Sequence, residues 1–264
     1  MGLFLDCENQ EIATKTLGSL FGCSGGDLVS LLNSIDLKSV YQDINNSPDF
    51  PHDEYIYRKT TEAFGIHKSP DYICWFHLTR TFPGNTFDKG ILPLGDALVL
   101  IWEHLLKIFK GTEHHSHLHK LKENGIENDH YQLKEPNPFH WGPAAMLVRD
   151  VAFRAREIGN HDYLRIPEIV EDICNGYYDK YGLNIYDEVF KSLKPCIVKF
   201  KSNFRIDEGC VKSALYYIYA SIKGDGLSSC TCFDAQAKKI PPEDILKIEF
   251  LDHYDAIFQP RAGG

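Results

Sequence analysis

"CWFHLTRT", residues 74–81, is the stretch on which the fold turns. With Tyr72 and Ile73 before it, it opens as an unbroken apolar and aromatic run, the composition of a strand buried on both faces. It then turns polar at His77, Thr79 and Arg80. The two-residue period of a strand puts His77 and Thr79 on one face. An imidazole beside a hydroxyl can donate to and accept from a sugar diol, and the same pair can simply cap a strand end.

Outward from this strand, residues 1–65 read as helical. "DLVSLLNSID" (27–36) carries Leu28, Leu31 and Leu32 on one face. "HDEYIYRKTTEAFG" (52–65) repeats the logic and stops at Gly65. Leu98, Ile101, Trp102, Leu105, Ile108 and Phe109 keep helical spacing over 96–110. The polar stretch from Gly111 to Pro143 reads as a long, mobile loop. Ala144, Leu147, Val148, Val151, Ala155 and Ile158 form a stripe that predicts a second amphipathic helix. Pro167 suits the first turn of a third, and "NIYDEVFKSL" (184–193) suggests another. "CIVKF" (196–200) reads as a strand, 210–224 as helix or part strand, and 240–252 as a loop leading into a strand. Few strands, far apart in sequence, give an α+β class. The expected organisation is a helical N-terminal region or cap (1–68) followed by an α+β domain (69–264).

Composition fits a folded chain. Of 264 residues, 43% are hydrophobic and 25% charged, enough apolar content for a sizeable core. The net charge of −9 argues against a broad basic footprint for nucleic acid. The opening "MGLFLDCENQ" has no basic n-region, and the apolar run 91–106 is broken by Pro93, Asp96, Glu103 and His104. A cytoplasmic protein that does not enter a membrane is expected. Only Cys230 and Cys232 of the eight cysteines lie close together, so buried thiols are expected, with neither a disulfide scaffold nor a zinc site. Motifs of P-loop, α/β-hydrolase, zincin and Rossmann type are absent.

Two further clusters could carry chemistry. "EHHSHLH" holds His114, His115, His117 and His119, which could meet a transition metal from one face of an extended segment or form a solvated loop. "RDVAFRAREIGNHDYLRIPEIVED" concentrates Arg149, Arg154, Arg156, His161, Asp162, Tyr163 and Arg165. Arg156 and His161 satisfy R-x4-H, similar to HEPN-type ribonucleases, although Gly159-Asn160 is a helix stop between them. The loop "GNHDYLRIPE" (159–168) can reach a cleft, or His161 and Asp162 can merely cap helix ends.

Three pieces stand in order along the chain: "FHLTRT", "KGILPL" and "IPPEDILKIEF". In this order and spacing the sequence resembles the ADP-ribosyltransferase superfamily, nearer its bacterial toxin and nucleic-acid-modifying branches. The resemblance implies a split antiparallel sheet whose cleft binds NAD as substrate. His77 would contact the nicotinamide-side ribose with Thr79, and Arg80 would face the pyrophosphate, as a multi-donor cation suits. Tyr163 would stack on nicotinamide, with His161 beside it on the cofactor side. The family's late catalytic Glu has no counterpart in "LSSCTCFDAQAKK" (227–239), where Asp225 and Asp234 are the nearest acids. Glu168, Glu171 and Glu243 are available from elsewhere, with Glu168 taken as the catalytic carboxylate. The implied activity is transfer of ADP-ribose to a protein or nucleic-acid acceptor, as an intracellular toxin or defence effector. The alternatives are an inactive nucleotide- or protein-binding module of the same fold, and a HEPN-like ribonuclease.

Overall fold

The computed structural model describes residues 2–42, 49–226, 231–252 and 254, and structural statements below concern these residues. The fold is α+β, as read from the sequence. Six strands, β1 (Phe4–Leu5), β2 (Tyr72–Thr81), β3 (Ala144–Met146), β4 (Lys194–Ser202), β5 (Cys232–Asp234) and β6 (Ile245–Phe250), form one small open sheet. Its order is β5-β3-β2-β4-β6, with β1 added alongside β2. β1 runs parallel to the start of β2 (Phe4 opposite Tyr72, Leu5 opposite Ile73), and β3 is antiparallel to it, with Phe76 opposite Met146.

By its contacts the chain divides into two compact units, each assembled from three separate segments. The first comprises 1–76, 145–160 and 199–233. Its helices are α1 (Gln10–Phe21), α2 (Gly25–Ser34), α3 (Leu37–Gln42), α4 (His52–Phe64) and α10 (Glu208–Lys223), named in chain order with those of the second unit. α10 packs on α1, α2 and α4. Its ends are defined locally: Asp207 accepts from Cys210 N at 3.1 Å, and Gly224 takes the left-handed conformation (φ 70°). Lys199 is buried in this unit and pairs with Asp6 (2.5 Å) and Glu8 (2.7 Å). Burial pulls its ammonium pKa down, but the two carboxylates outweigh that and leave it above the ordinary lysine value.

The second unit comprises 77–144, 161–198 and 234–264. It holds α5 (Leu94–Ile108), α6 (Glu113–Asn124), α7 (Asp129–Lys134), α8 (Glu168–Tyr181) and α9 (Tyr186–Ser192). Leu105, Leu118, Leu121, Ile173 and Val189 form the centre of its helical core. Each fully buried aliphatic side chain there contributes about 1.5–3 kcal/mol.

Two segments depart from the sequence reading. Residues 111–143 are not a long loop, because they contain α6 and α7. His114, His117, Leu118 and Leu121 sit at i, i+3, i+4 and i+7, a helical stripe in which two histidines take apolar places. The buried Tyr177 hydroxyl bonds both imidazoles, His114 Nδ1 at 2.7 Å and His117 Nδ1 at 3.1 Å. The histidine cluster is therefore on a helix, and among the described residues no group of His, Cys, Asp or Glu is placed to hold a metal ion.

Nor is 144–158 an amphipathic helix. It begins as β3, passes through a 3-10 turn at Arg149–Phe153 and continues as turns. Ala145 to Val148 are all buried, so the run is apolar on both sides and its helical periodicity is a by-product of continuous burial. β1 and β5 also escaped the sequence reading, since strands of two and three residues leave too short a pattern.

No disulfide links the described cysteines, and Cys230 lies outside the described residues. Burial pushes the Cys74, Cys174, Cys196 and Cys210 thiols up to about 12, which keeps them protonated. Among the described residues no helix is long and apolar enough to cross a membrane.

Candidate functional site

The six residues singled out by sequence, His77, Thr79, Arg80, His161, Tyr163 and Glu168, all belong to the second unit. The structure gathers them into two groups rather than one. Along β2 the side chains alternate, so His77 and Thr79 share a face and Arg80 takes the other.

The first group is the rim at the end of β2. His77 is half-buried, and its Nδ1 lies 2.8 Å from Ala144 O. A carbonyl oxygen only accepts, so Nδ1 carries the hydrogen and Nε2 is the acceptor nitrogen. The ring keeps some solvent contact but is densely surrounded. This loss of hydration lowers its pKa, against a smaller upward pull from the Ala144 bond. The imidazole is thus neutral at pH 7, with a fixed tautomer. Thr79 Oγ1 makes only a long 3.5 Å bond to Arg80 O.

Two pieces of the family resemblance meet in the same unit. Ile91 and Ile240 form an antiparallel bridge, Ile91 N to Ile240 O at 2.9 Å and Ile240 N to Ile91 O at 3.0 Å. This ties "KGILPL" to "IPPEDI". Gly90 makes the approach feasible: its φ is +79°, and a Cβ there would land on Ile240 O. A turn beside it is pinned twice, Ala235 N to Pro143 O at 3.0 Å and Ala237 N to Gly142 O at 2.8 Å. Gln236 and Ala237 both adopt positive φ, 54° and 59°.

Asp234, the Asp nearest the position of the family's Glu, stands at the end of β5. The β2–β3 register puts Leu78 opposite Ala144, and the paired 143–147 and 231–235 bonds put Asp234 opposite Ala144 in turn. Partners across a sheet share a face, so Asp234 projects on the face of Leu78, away from that of His77. Its Oδ1 accepts from Gln236 N at 2.8 Å. Asp225 falls in the first unit, and Glu243 is exposed in the 3-10 turn Pro242–Asp244.

The second group surrounds the segment 161–168. Tyr163 Oη donates to Glu168 Oε1 at 3.0 Å, and Lys134 Nζ lies 3.0 Å from Glu168 Oε2 and 2.8 Å from Asp172 Oδ2. Burial alone would push the Glu168 carboxyl up, but Lys134 and the Tyr163 hydroxyl outweigh it and hold it below the usual carboxylate range. Lys134 shows the mirror image: burial lowers it and the two carboxylates raise it by more. Both groups stay charged at neutral pH, which suits Glu168 to fixed electrostatic stabilisation and not to proton transfer. His161 Nε2 meets Ile166 O at 2.6 Å, so that nitrogen is the donor, and its ring stands edge-on to Tyr163 at 4.9 Å.

Arg80 is bound into the fold. Its Nε donates to Leu193 O (3.1 Å), and Nη1 donates to Leu164 O (3.3 Å) and Arg165 O (3.1 Å). The guanidinium also lies 3.8 Å over the Phe190 ring. Sequence reasoning missed Lys134, which lies in the stretch read as a loop and pairs with α8 across 34 and 38 positions of chain.

The R-x4-H pattern loses its frame, since the 3-10 turn ends at Phe153 and residues 155–159 are turns, so Arg156 and His161 are not on one helix. Comparison with protein-family models, curated proteins and solved structures returned no match.

Proposed function

We propose that the rim of β2 binds the nicotinamide-side ribose of NAD and that the protein transfers ADP-ribose to a macromolecular acceptor. The observation that carries this reading is the His77 tautomer. Its Nδ1–H is committed to Ala144 O, which leaves Nε2 as an acceptor for a ribose hydroxyl, with Thr79 on the same strand face to complete a diol contact. The bridge between Ile91 and Ile240 supports it further, because it joins two of the segments on which the family resemblance rests. This scheme requires the dinucleotide to wrap the end of β2, from His77 and Thr79 on one face to the Tyr163 and Glu168 group beside Arg80 on the other, where Glu168, held ionised, would stabilise the positive charge that develops as nicotinamide leaves.

A second reading, a nucleotide-binding module without turnover, is favoured by one specific observation: both Glu168 oxygens are already engaged by Lys134 and Tyr163, and Asp234 projects from the other strand face. Calorimetric titration with NAD, followed by measurement of nicotinamide release, separates the two. Binding with release supports transfer or hydrolysis, and binding without release supports the module. His77→Ala is expected to abolish binding while the circular dichroism spectrum stays unchanged; undiminished NAD binding by that variant removes the assignment.

A further inference from the structure

We infer that Arg80 is a positioning residue, a staple that fixes the segment 161–167 from behind, and that it does not bind the pyrophosphate. A bidentate grip on a phosphate takes either Nε with one terminal nitrogen or both terminal nitrogens. With Nε on Leu193 O and Nη1 on Leu164 O and Arg165 O, each of those pairs has already lost a member. One face of the plane is covered by Phe190. The carbonyls bound are the substance of the staple: two come from the loop that carries His161 and Tyr163, and the third from the residue just before β4.

Two neighbours complete the device. Asp162 Oδ1 accepts from Arg165 N (3.1 Å) and from the Tyr254 hydroxyl (2.9 Å). Arg165 N and Ile166 N also return to Asp162 O, at 3.0 and 3.2 Å. A loop of irregular backbone is thereby closed on itself by Asp162 and held to β2 by Arg80, so Tyr163 and Glu168 arrive already oriented. Preorganisation of this kind raises affinity by removing the ordering cost from the binding step.

The ligand arm of the test rests on the dinucleotide reading above; the other arm needs no ligand. In Arg80→Ala, hydrogen exchange of the Arg165 and Ile166 amides is expected to accelerate at least tenfold, and about 10 mM guanidinium is expected to restore part of the protection, which a general loss of stability would not allow. Affinities for NAD and for nicotinamide riboside are expected to fall by the same factor, roughly tenfold, as a lost preorganisation implies. Should Arg80→Ala fail to fold, Arg80→Lys, which keeps the charge but not the planar fork, is expected to show the same acceleration in weaker form. Unchanged exchange in the variant that folds overturns the staple. So does a loss confined to NAD, since the riboside lacks the pyrophosphate that a phosphate-binding role for Arg80 would need, whereas a lost staple weakens both ligands alike. A wild-type protein that binds neither ligand refutes the dinucleotide reading, and the exchange arm still decides the role of Arg80.

Discussion

Replacing Gly90 by Ala tests whether the bridge between residues 91 and 240 is a determinant of the fold. Gly84 provides the internal control: it also has positive φ, +85°, but a Cβ there meets nothing within 4 Å. Both alanines incur the left-handed penalty of about 1–2 kcal/mol. Only Gly90→Ala also drives a methyl group into Ile240 O and parts the two segments joined by the bridge's two backbone bonds. Ile91 and Ile240 are 3% and 6% exposed, so separated groups find little water. At about 1 kcal/mol net per bond, and more for groups left unpaired, the two variants should differ by about 2–3 kcal/mol. For a chain of this size that is a gap of about 4–10 °C in thermal midpoint. Urea unfolding followed by circular dichroism measures the same quantity. If the two variants unfold within about 0.5 kcal/mol of each other, the bridge carries no such weight, and the argument from Gly90 is wrong.

Other perturbations follow from the charged groups and from the core. Lys134→Met leaves Glu168 and Asp172 facing each other without a cation. A buried broken pair costs about 3–5 kcal/mol, but Glu168 keeps 36% side-chain exposure, so about 2 kcal/mol is expected in urea titrations at pH 7. The folded pKa of Glu168 is depressed, so its contribution is present above the unfolded value near 4.3 and is lost as pH falls toward the folded value. Lys134→Met should flatten stability against pH in that acid window; an unchanged slope contradicts the pairing. His77 is also depressed: its contribution is complete above about 6.5 and declines as pH falls from there toward the folded pKa, because the unfolded chain takes up the proton first. His77→Gln should remove that part of the slope as pH falls below about 6.5, and a curve parallel to the wild type would contradict it. Trp75 Nε1 is buried with no partner among the described residues. Trp75→Phe, which deletes the unpaired donor along with some packing, should therefore cost less than about 1.5 kcal/mol in the same titration, against about 3–5 for Trp75→Ala.

What the sequence could disclose followed the reach of local pattern. α5 and α8 were legible because each carries an apolar stripe, between a proline and a phenylalanine or glycine that ends the run. α6 was hidden because its inward stripe contains His114 and His117, which satisfy Tyr177 instead of facing solvent. β3 was misread because burial on both sides erases the difference between periods of two and 3.6. At the site, alternation alone put His77 and Thr79 together and Arg80 opposite. The partners of Arg80 could not be read this way: they are backbone carbonyls 84, 85 and 113 residues distant, and a carbonyl has no signature in sequence.

The segmented make-up of the two units has a consequence during synthesis on the ribosome. α10, the common partner of α1, α2 and α4, is encoded after residue 207, so these helices emerge long before the surface that covers them exists. The second unit likewise waits for the strand at 245–250. Neither unit can be completed while the other is still unmade, and a ribosome that stalls midway releases two half-built cores and no finished one.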